Sequence, residues 1–188
     1  TGRWVIHLQG GGGCTDEASC HDRWCGSDGI EPDGYTAAQM SNDWNGDGTP
    51  DRPEHAWVLG ISANLPATNE FATWNHVYVP YCSSDAWMGR ADGVDLGDFR
   101  VDARGHTILR AVRSMLRNPG WTAADGYVVP DLDLADEVLF TGTSAGGLGA
   151  LQNADWFLAP LSARVGLVVD AAIDVAPAVL VDYDVWEI

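Results

Sequence analysis

Apolar residues along the 188-residue chain gather in a few short runs set between polar stretches. Trp4-Val5-Ile6-His7-Leu8 is a β-rich run that stops at four glycines, Gly10-Gly11-Gly12-Gly13, the pattern of a strand feeding a tight loop. Val77-Tyr78-Val79-Pro80-Tyr81 predicts a second strand. Residues 26–56 between the two are rich in Gly, Asp, Asn and Pro, too polar to form core, and are expected to make a long loop or insertion. From 104 to 117, Ile108, Leu109, Val112, Met115 and Leu116 recur at helical spacing, while Arg110, Arg113 and Arg117 take other faces. Asn118-Pro119-Gly120 ends that helix. Val138-Leu139-Phe140 predicts a third strand, Leu148, Leu151 and Phe157 a following helix, and residues 164–170 a fourth strand. Near-continuous apolar strands alternating with helices predict an α/β fold, a mostly parallel sheet with helices on both faces. There is no internal repeat, and one domain is expected over residues 1–188.

Charge narrows the partners. The chain carries 27 acidic and 10 basic side chains, a formal net charge of −17, and every basic residue is arginine. Nucleic acid and anionic membrane surfaces would be repelled. No apolar run approaches 18 residues, so no membrane span is expected. The chain opens at Thr1 without initiator methionine or signal peptide and reads as part of a longer precursor.

Cys14, Cys20 and Cys25 lie within twelve residues, and Cys82 stands apart. The spacing contains no CxxC, and His21 beside Cys20 could not easily share one tetrahedral ion with it, so disulfides are expected rather than zinc. Disulfides imply an extracellular, secreted protein, where an acidic surface aids solubility.

Gly142-Thr143-Ser144-Ala145-Gly146 matches G-x-S-x-G, with a hydrophobic strand before it and a helix after it. Such a turn projects Ser144 from the carboxyl edge of the sheet and lets the Ala145 amide donate to an oxyanion. The bland alternative is a Gly-rich turn with an incidental serine. The glycine run after the first strand argues against it, because α/β-hydrolases place their other oxyanion donors in an HGGG-type loop there. A Walker-type phosphate loop competes for the same glycines, but it needs a lysine, which the chain lacks.

Together with Trp4-x-Ile6-His7-Leu8-Gln9-Gly10-Gly11, Cys14-x5-Cys20-x-x-Arg23, Gly60-Ile61-Ser62, Asn75-x-Val77-x-Val79-Pro80-Tyr81-Cys82-Ser83-Ser84-Asp85-x-Trp87 and Arg104-Gly105, this motif resembles the pectin acetylesterase and Notum carboxylesterase family. The resemblance runs from residue 3 to about 170. It implies a secreted α/β-hydrolase acting as a serine carboxylesterase on acyl, expected to be acetyl, esters of a polysaccharide or related substrate. Ser144 would be the nucleophile, Gly11, Gly12 and Ala145 the oxyanion-hole donors, and Trp87 would line the approach to the acyl pocket. Cys14 would pair with Cys20, which leaves Cys25 for Cys82. The family usually has glutamate and an aromatic residue around the glycine loop; Gln9, Gly12 and Gly13 stand there instead and imply a wider acyl pocket. Catalysis is expected to need no cofactor. α/β-Hydrolases supply serine, acid and histidine in that order, yet His7, His21, His55, His76 and His106 all precede Ser144. Acid and base are therefore expected beyond Ile188, with the C-terminal part of the fold missing and residues 1–188 alone inactive. Asp170 and Asp174 come too early to be the family's acid. The rival reading is a non-catalytic, calcium-stabilised extracellular binding module of the same fold.

Three other features have bland readings. His7, inside a strand, is expected to be a packed histidine rather than a base. Trp4, Trp24 and Trp74 read as packing residues, and Asp92, Asp95 and Asp98 as solvated surface.

The insertion, at about 32–56, holds a separate candidate. Asp43, Asn45, Asp47, Asp51 and Glu54 fall at positions 1, 3, 5, 9 and 12 of a calcium loop, with Gly48 at position 6 and the Thr49 carbonyl at position 7. Pro50 and Pro53 are unlike a helix-flanked EF-hand, so an isolated or dockerin-like loop is expected, against a merely solvated Asp/Gly-rich loop. Calcium should then raise the melting temperature of the full-length protein and EDTA should lower it. Identical melting curves in the two buffers would remove the site.

Overall fold

In a computed structural model, the described residues are 2–25, 61, 66–97, 100–122 and 126–172. The calcium-loop residues of the insertion lie outside them. The elements run β1 (Arg3–Leu8), α1 (Glu17–Cys25), β2 (Asn75–Val79), β3 (Ala91–Asp95), β4 (Arg100–Ala103), α2 (Gly105–Leu116), β5 (Glu137–Thr143), α3 (Ala145–Leu158) and β6 (Arg164–Asp170). Four of the strands form one parallel sheet in the order β2-β1-β5-β6. A parallel sheet with helices is the predicted α/β class.

Register decides which side chains share a face. Trp4, Ile6 and Leu8 stand beside Val138, Phe140 and Gly142, and Ile6 and Leu8 also beside Val77 and Val79. Paired residues of a parallel sheet point the same way, so these make one apolar surface. Leu109 and Leu116 of α2 and Ala150, Phe157 and Leu158 of α3 pack onto it in a single cluster, with the Phe140 and Phe157 rings stacked 4.6 Å apart. Both long helices thus lie on one face of the sheet. On the other face Val5 and Thr141 are also fully buried, so the centre of the sheet is covered on both sides.

Two features were not expected. α1 follows the glycine run directly, started by the Asp16 carboxylate accepting the Ser19 amide at 2.8 Å. β3 and β4 form an antiparallel hairpin in the acidic stretch that reads as solvated surface. There Asp92 pairs with Arg104 and Asp102 accepts the Gly93 amide at 2.8 Å. Met115, counted in the apolar stripe of α2, is instead exposed, at the rim of an apolar groove of about 640 Å³ beside β2. That groove is lined by none of the residues of the G-x-S-x-G turn.

The sheet meets α3 at a point with no room for side chains. A methyl group on Gly142 would overlap the Gly146 carbonyl, and one on Gly146 would overlap the Leu8 carbonyl. Backbone atoms cannot rotate aside. Gly146→Ala should therefore lower unfolding free energy in urea by about 3 kcal/mol or more. Gly166→Ala in β6, whose methyl would meet only the Leu139 side chain at 3.2 Å, should cost far less; equal losses would show that the close approach is not the constraint.

Candidate active site

Ser144 occupies the single residue between β5 and α3, with φ 57° and ψ −124°. Few non-glycine residues adopt such a conformation, and it persists only where its surroundings over-determine it. Here the Ser144 amide donates to the Asp170 carbonyl at 2.8 Å, at the end of β6, and the Ser144 carbonyl accepts from the Leu148 amide. The neighbouring Thr143 hydroxyl donates to the Asp170 carboxylate at 3.1 Å. Asp170 therefore braces the turn. The half-buried Ser144 side chain projects where the sheet ends, and the buried Ala145 opens the first turn of α3, whose N–H groups have no intrahelical acceptor.

The glycine loop lies against this turn. Added to Gly10, a side chain would overlap the Thr143 carbonyl and sit 3.0 Å from Ser144 Cβ, so the loop passes directly over the serine. Gly11 and Gly12, with φ of 137° and 72°, are exposed, and no acceptor among the described residues takes their amides. Exposed donors beside a projecting hydroxyl, with the start of a helix on the other side, can stabilise an oxyanion. Gln9 fixes the entrance of the loop. Its amide donates to the Val79 carbonyl at 3.1 Å, and its side-chain carbonyl accepts the Tyr81 amide at 2.8 Å.

At the far end of the loop, Cys14 is bonded to Cys20 of α1, the pairing implied by the family resemblance. Cys82 is a free, half-buried cysteine, which corrects the expected Cys25–Cys82 bridge. Burial, with the Asp85 carboxylate adding to it, pushes the Cys82 thiol up and keeps it protonated. The Cys25 side chain lies outside the described residues.

Trp87 is also a correction. Instead of lining the acyl pocket it is fully buried, its ring 5.2 Å from that of Tyr81 and its indole N–H donating to the Gln9 carbonyl at 3.1 Å. A ring enclosed in this way lies against the start of the glycine loop and is closed off from solvent.

None of the hydrogen bonds among the described residues joins a histidine to the Ser144 hydroxyl. His106 accepts from Arg90 at Nε2 and donates from Nδ1 to Asn153, because a guanidinium can only donate. His76 holds the Phe71 carbonyl, and His21 is exposed on α1; His55 lies outside the described residues. His7 stacks on Tyr78, as the packed-histidine reading expects. The described residues hold no group of three or more His, Cys, Asp or Glu placed to bind a metal.

Similarity to known proteins follows the same stretches. The family model described as Pectinacetylesterase matches residues 1–176. Palmitoleoyl-protein carboxylesterase NOTUM of Drosophila melanogaster is 32% identical over 158 residues, 81% of this chain but 20% of that protein. Pectin acetylesterase 7 of Arabidopsis thaliana is 29% identical over 171 residues, 89% of this chain and 36% of that protein. The solved structure of the Wnt deacylase Notum from Drosophila aligns with a TM-score of 0.57 and 26% identity, covering 92% of this chain and 44% of that one. The chain thus spans between a fifth and just over a third of the length of these two curated relatives.

His7 carries a prediction about pH. Burial pushes its imidazole below the usual 6.5, opposed by the Asp170 carboxylate, and its Nδ1 is buried without a partner. Below pH 6.5 the unfolded chain takes up a proton that the folded one refuses, so stability falls as pH drops through that value. His7→Gln should flatten the dependence of unfolding free energy on pH between about 7 and 5; an unchanged slope would assign that dependence to other groups.

Proposed function

The chain belongs to the pectinacetylesterase family, and on that premise we propose that it is the nucleophile-bearing part of a serine carboxylesterase. One observation carries this: the left-handed Ser144 at the strand-to-helix turn, with a side-chain-free glycine loop laid over it. In this mechanism Ser144 Oγ attacks the ester carbonyl, and the amides of Gly11, Gly12 and Ala145 hold the oxyanion. Collapse expels the alcohol and leaves an acyl-enzyme, which water then hydrolyses. The histidine that takes the serine proton, and its carboxylate, would come from the part of the longer relatives that this chain does not span.

The substrate class we propose is an acylated saccharide or related ester, with acetyl as the acyl group. The names of the relatives point to two acyl lengths, a palmitoleoyl group on a protein and an acetyl group on pectin. A loop bearing no side chain at Gly12 and Gly13 favours a wide pocket mouth. The Cys14–Cys20 disulfide supports extracellular location, and calcium on the insertion remains part of the proposal on sequence grounds.

In the full-length protein, Ser144→Ala should lower hydrolysis of p-nitrophenyl acetate by about three orders of magnitude or more with the melting temperature unchanged, and a fluorophosphonate probe should label Ser144. Near-wild-type turnover by the variant would overturn the assignment, whereas absence of both turnover and labelling in the folded full-length protein would favour the binding module.

A further inference from the structure

We propose that Trp87, held by Asp85, is a positioning residue that sets the glycine loop against Ser144. The inference rests on the esterase reading of the site, but its observations are separate. Within four residues, Ser84, Ala86 and Trp87 all take positive φ, at 55°, 52° and 66°. No glycine stands there to make that easy. The Asp85 carboxylate holds the segment: one oxygen accepts the Ser83 hydroxyl at 2.5 Å and the Trp87 amide at 3.0 Å, the other the Gly89 and Gly105 amides at 3.1 and 2.7 Å. Tyr81 Oη accepts the Ala86 amide at 2.6 Å.

What this turn touches is the glycine loop, at both ends. The Trp87 indole N–H fixes the Gln9 carbonyl at 3.1 Å, and the Ser84 carbonyl accepts the Cys14 amide at 3.0 Å. Residues 10–13, which include the two proposed oxyanion donors, are suspended between those anchors. Trp87 is tied in turn to the helix that Ser144 begins. Its carbonyl accepts from Asn153 of α3 at 3.1 Å, and its ring fills the space over Gly149, where even a methyl group would collide. Asn153 is saturated, donating also to the Gly149 carbonyl and accepting from His106 Nδ1 and Trp156 Nε1. One buried residue therefore links the two arms of the oxyanion site, the loop through its indole N–H and the nucleophile helix through its backbone carbonyl. Misplacement of donors by a fraction of an ångström lowers turnover without loosening substrate binding.

The test uses the full-length protein with Trp87→Phe, together with nonsense-codon replacement of Trp87 by benzothienylalanine, which keeps the shape of the indole and removes only its N–H. Expected for the isosteric variant are kcat on p-nitrophenyl acetate lower by about tenfold or more, KM within about twofold, an unchanged melting temperature, and faster amide exchange in the peptide holding residues 10–13. A folded isosteric variant with wild-type kcat and wild-type exchange would overturn the proposal, even if Trp87→Phe fails to fold. If the wild-type protein shows no Ser144-dependent turnover, the esterase reading fails by itself; exchange in residues 10–13 then still decides whether the indole N–H holds the loop.

Discussion

The site depends on the contact between the carboxyl end of β1 and the first turn of α3. The Leu8 carbonyl faces Gly146 and the Thr143 carbonyl faces Gly10, each at a distance that admits hydrogen and no carbon. Backbone against backbone is the closest packing a protein offers, and it is rigid because no rotamer can relieve it. Pairing of β1 with β5 brings Leu8 beside Gly142, so the sheet register itself places the glycine loop over the serine. A slip of one residue would turn Trp4, Ile6 and Leu8 away from α2 and α3, and the hydrophobic cluster thereby enforces the geometry of the site.

Strain is distributed around this contact rather than confined to Ser144. Left-handed backbone costs an L-residue about 1–2 kcal/mol, and the turn at Ser84, Ala86 and Trp87 bears that cost three times. Four donors converge on Asp85 to offset it. Hydrogen bonds to a charged acceptor contribute about 1.5–3 kcal/mol each, so the four together outweigh the strain and the conformation is held without a glycine. Arg23, donating to the Ser84 hydroxyl, brings α1 and its disulfide into the same support.

Much of this is legible in the sequence because it depends on local pattern. Apolar runs announce β1, β2, β5 and β6, the stripe from Ile108 to Leu116 announces α2, and G-x-S-x-G between a strand and a helix announces Ser144 and its turn. The role of Trp87 is hidden, because whether a tryptophan lines a pocket or fills a core depends on which loops fold over it. The same holds for Asp85 and Asn153, whose partners lie at separations of up to 66 residues. The β3–β4 hairpin escapes notice since its strands are only five and four residues long and carry a single valine each, Val94 and Val101, among charged and small residues. Cys82 shows the limit of counting cysteines, as even numbers of thiols do not fix who pairs with whom.

The strand order has a consequence for how the protein is made. β1 lies in the middle of the sheet, yet its neighbour β5 follows more than a hundred residues later along the chain. On a ribosome adding about 5–20 residues per second, Trp4-Val5-Ile6-His7-Leu8 waits on the order of ten seconds for that partner. β2 becomes available earlier and can cover one side of it; the other side stays a sticky, unpaired edge until Val138 and Phe140 emerge. The serine turn, built last of the pieces that meet at Leu8, forms only when the waiting ends.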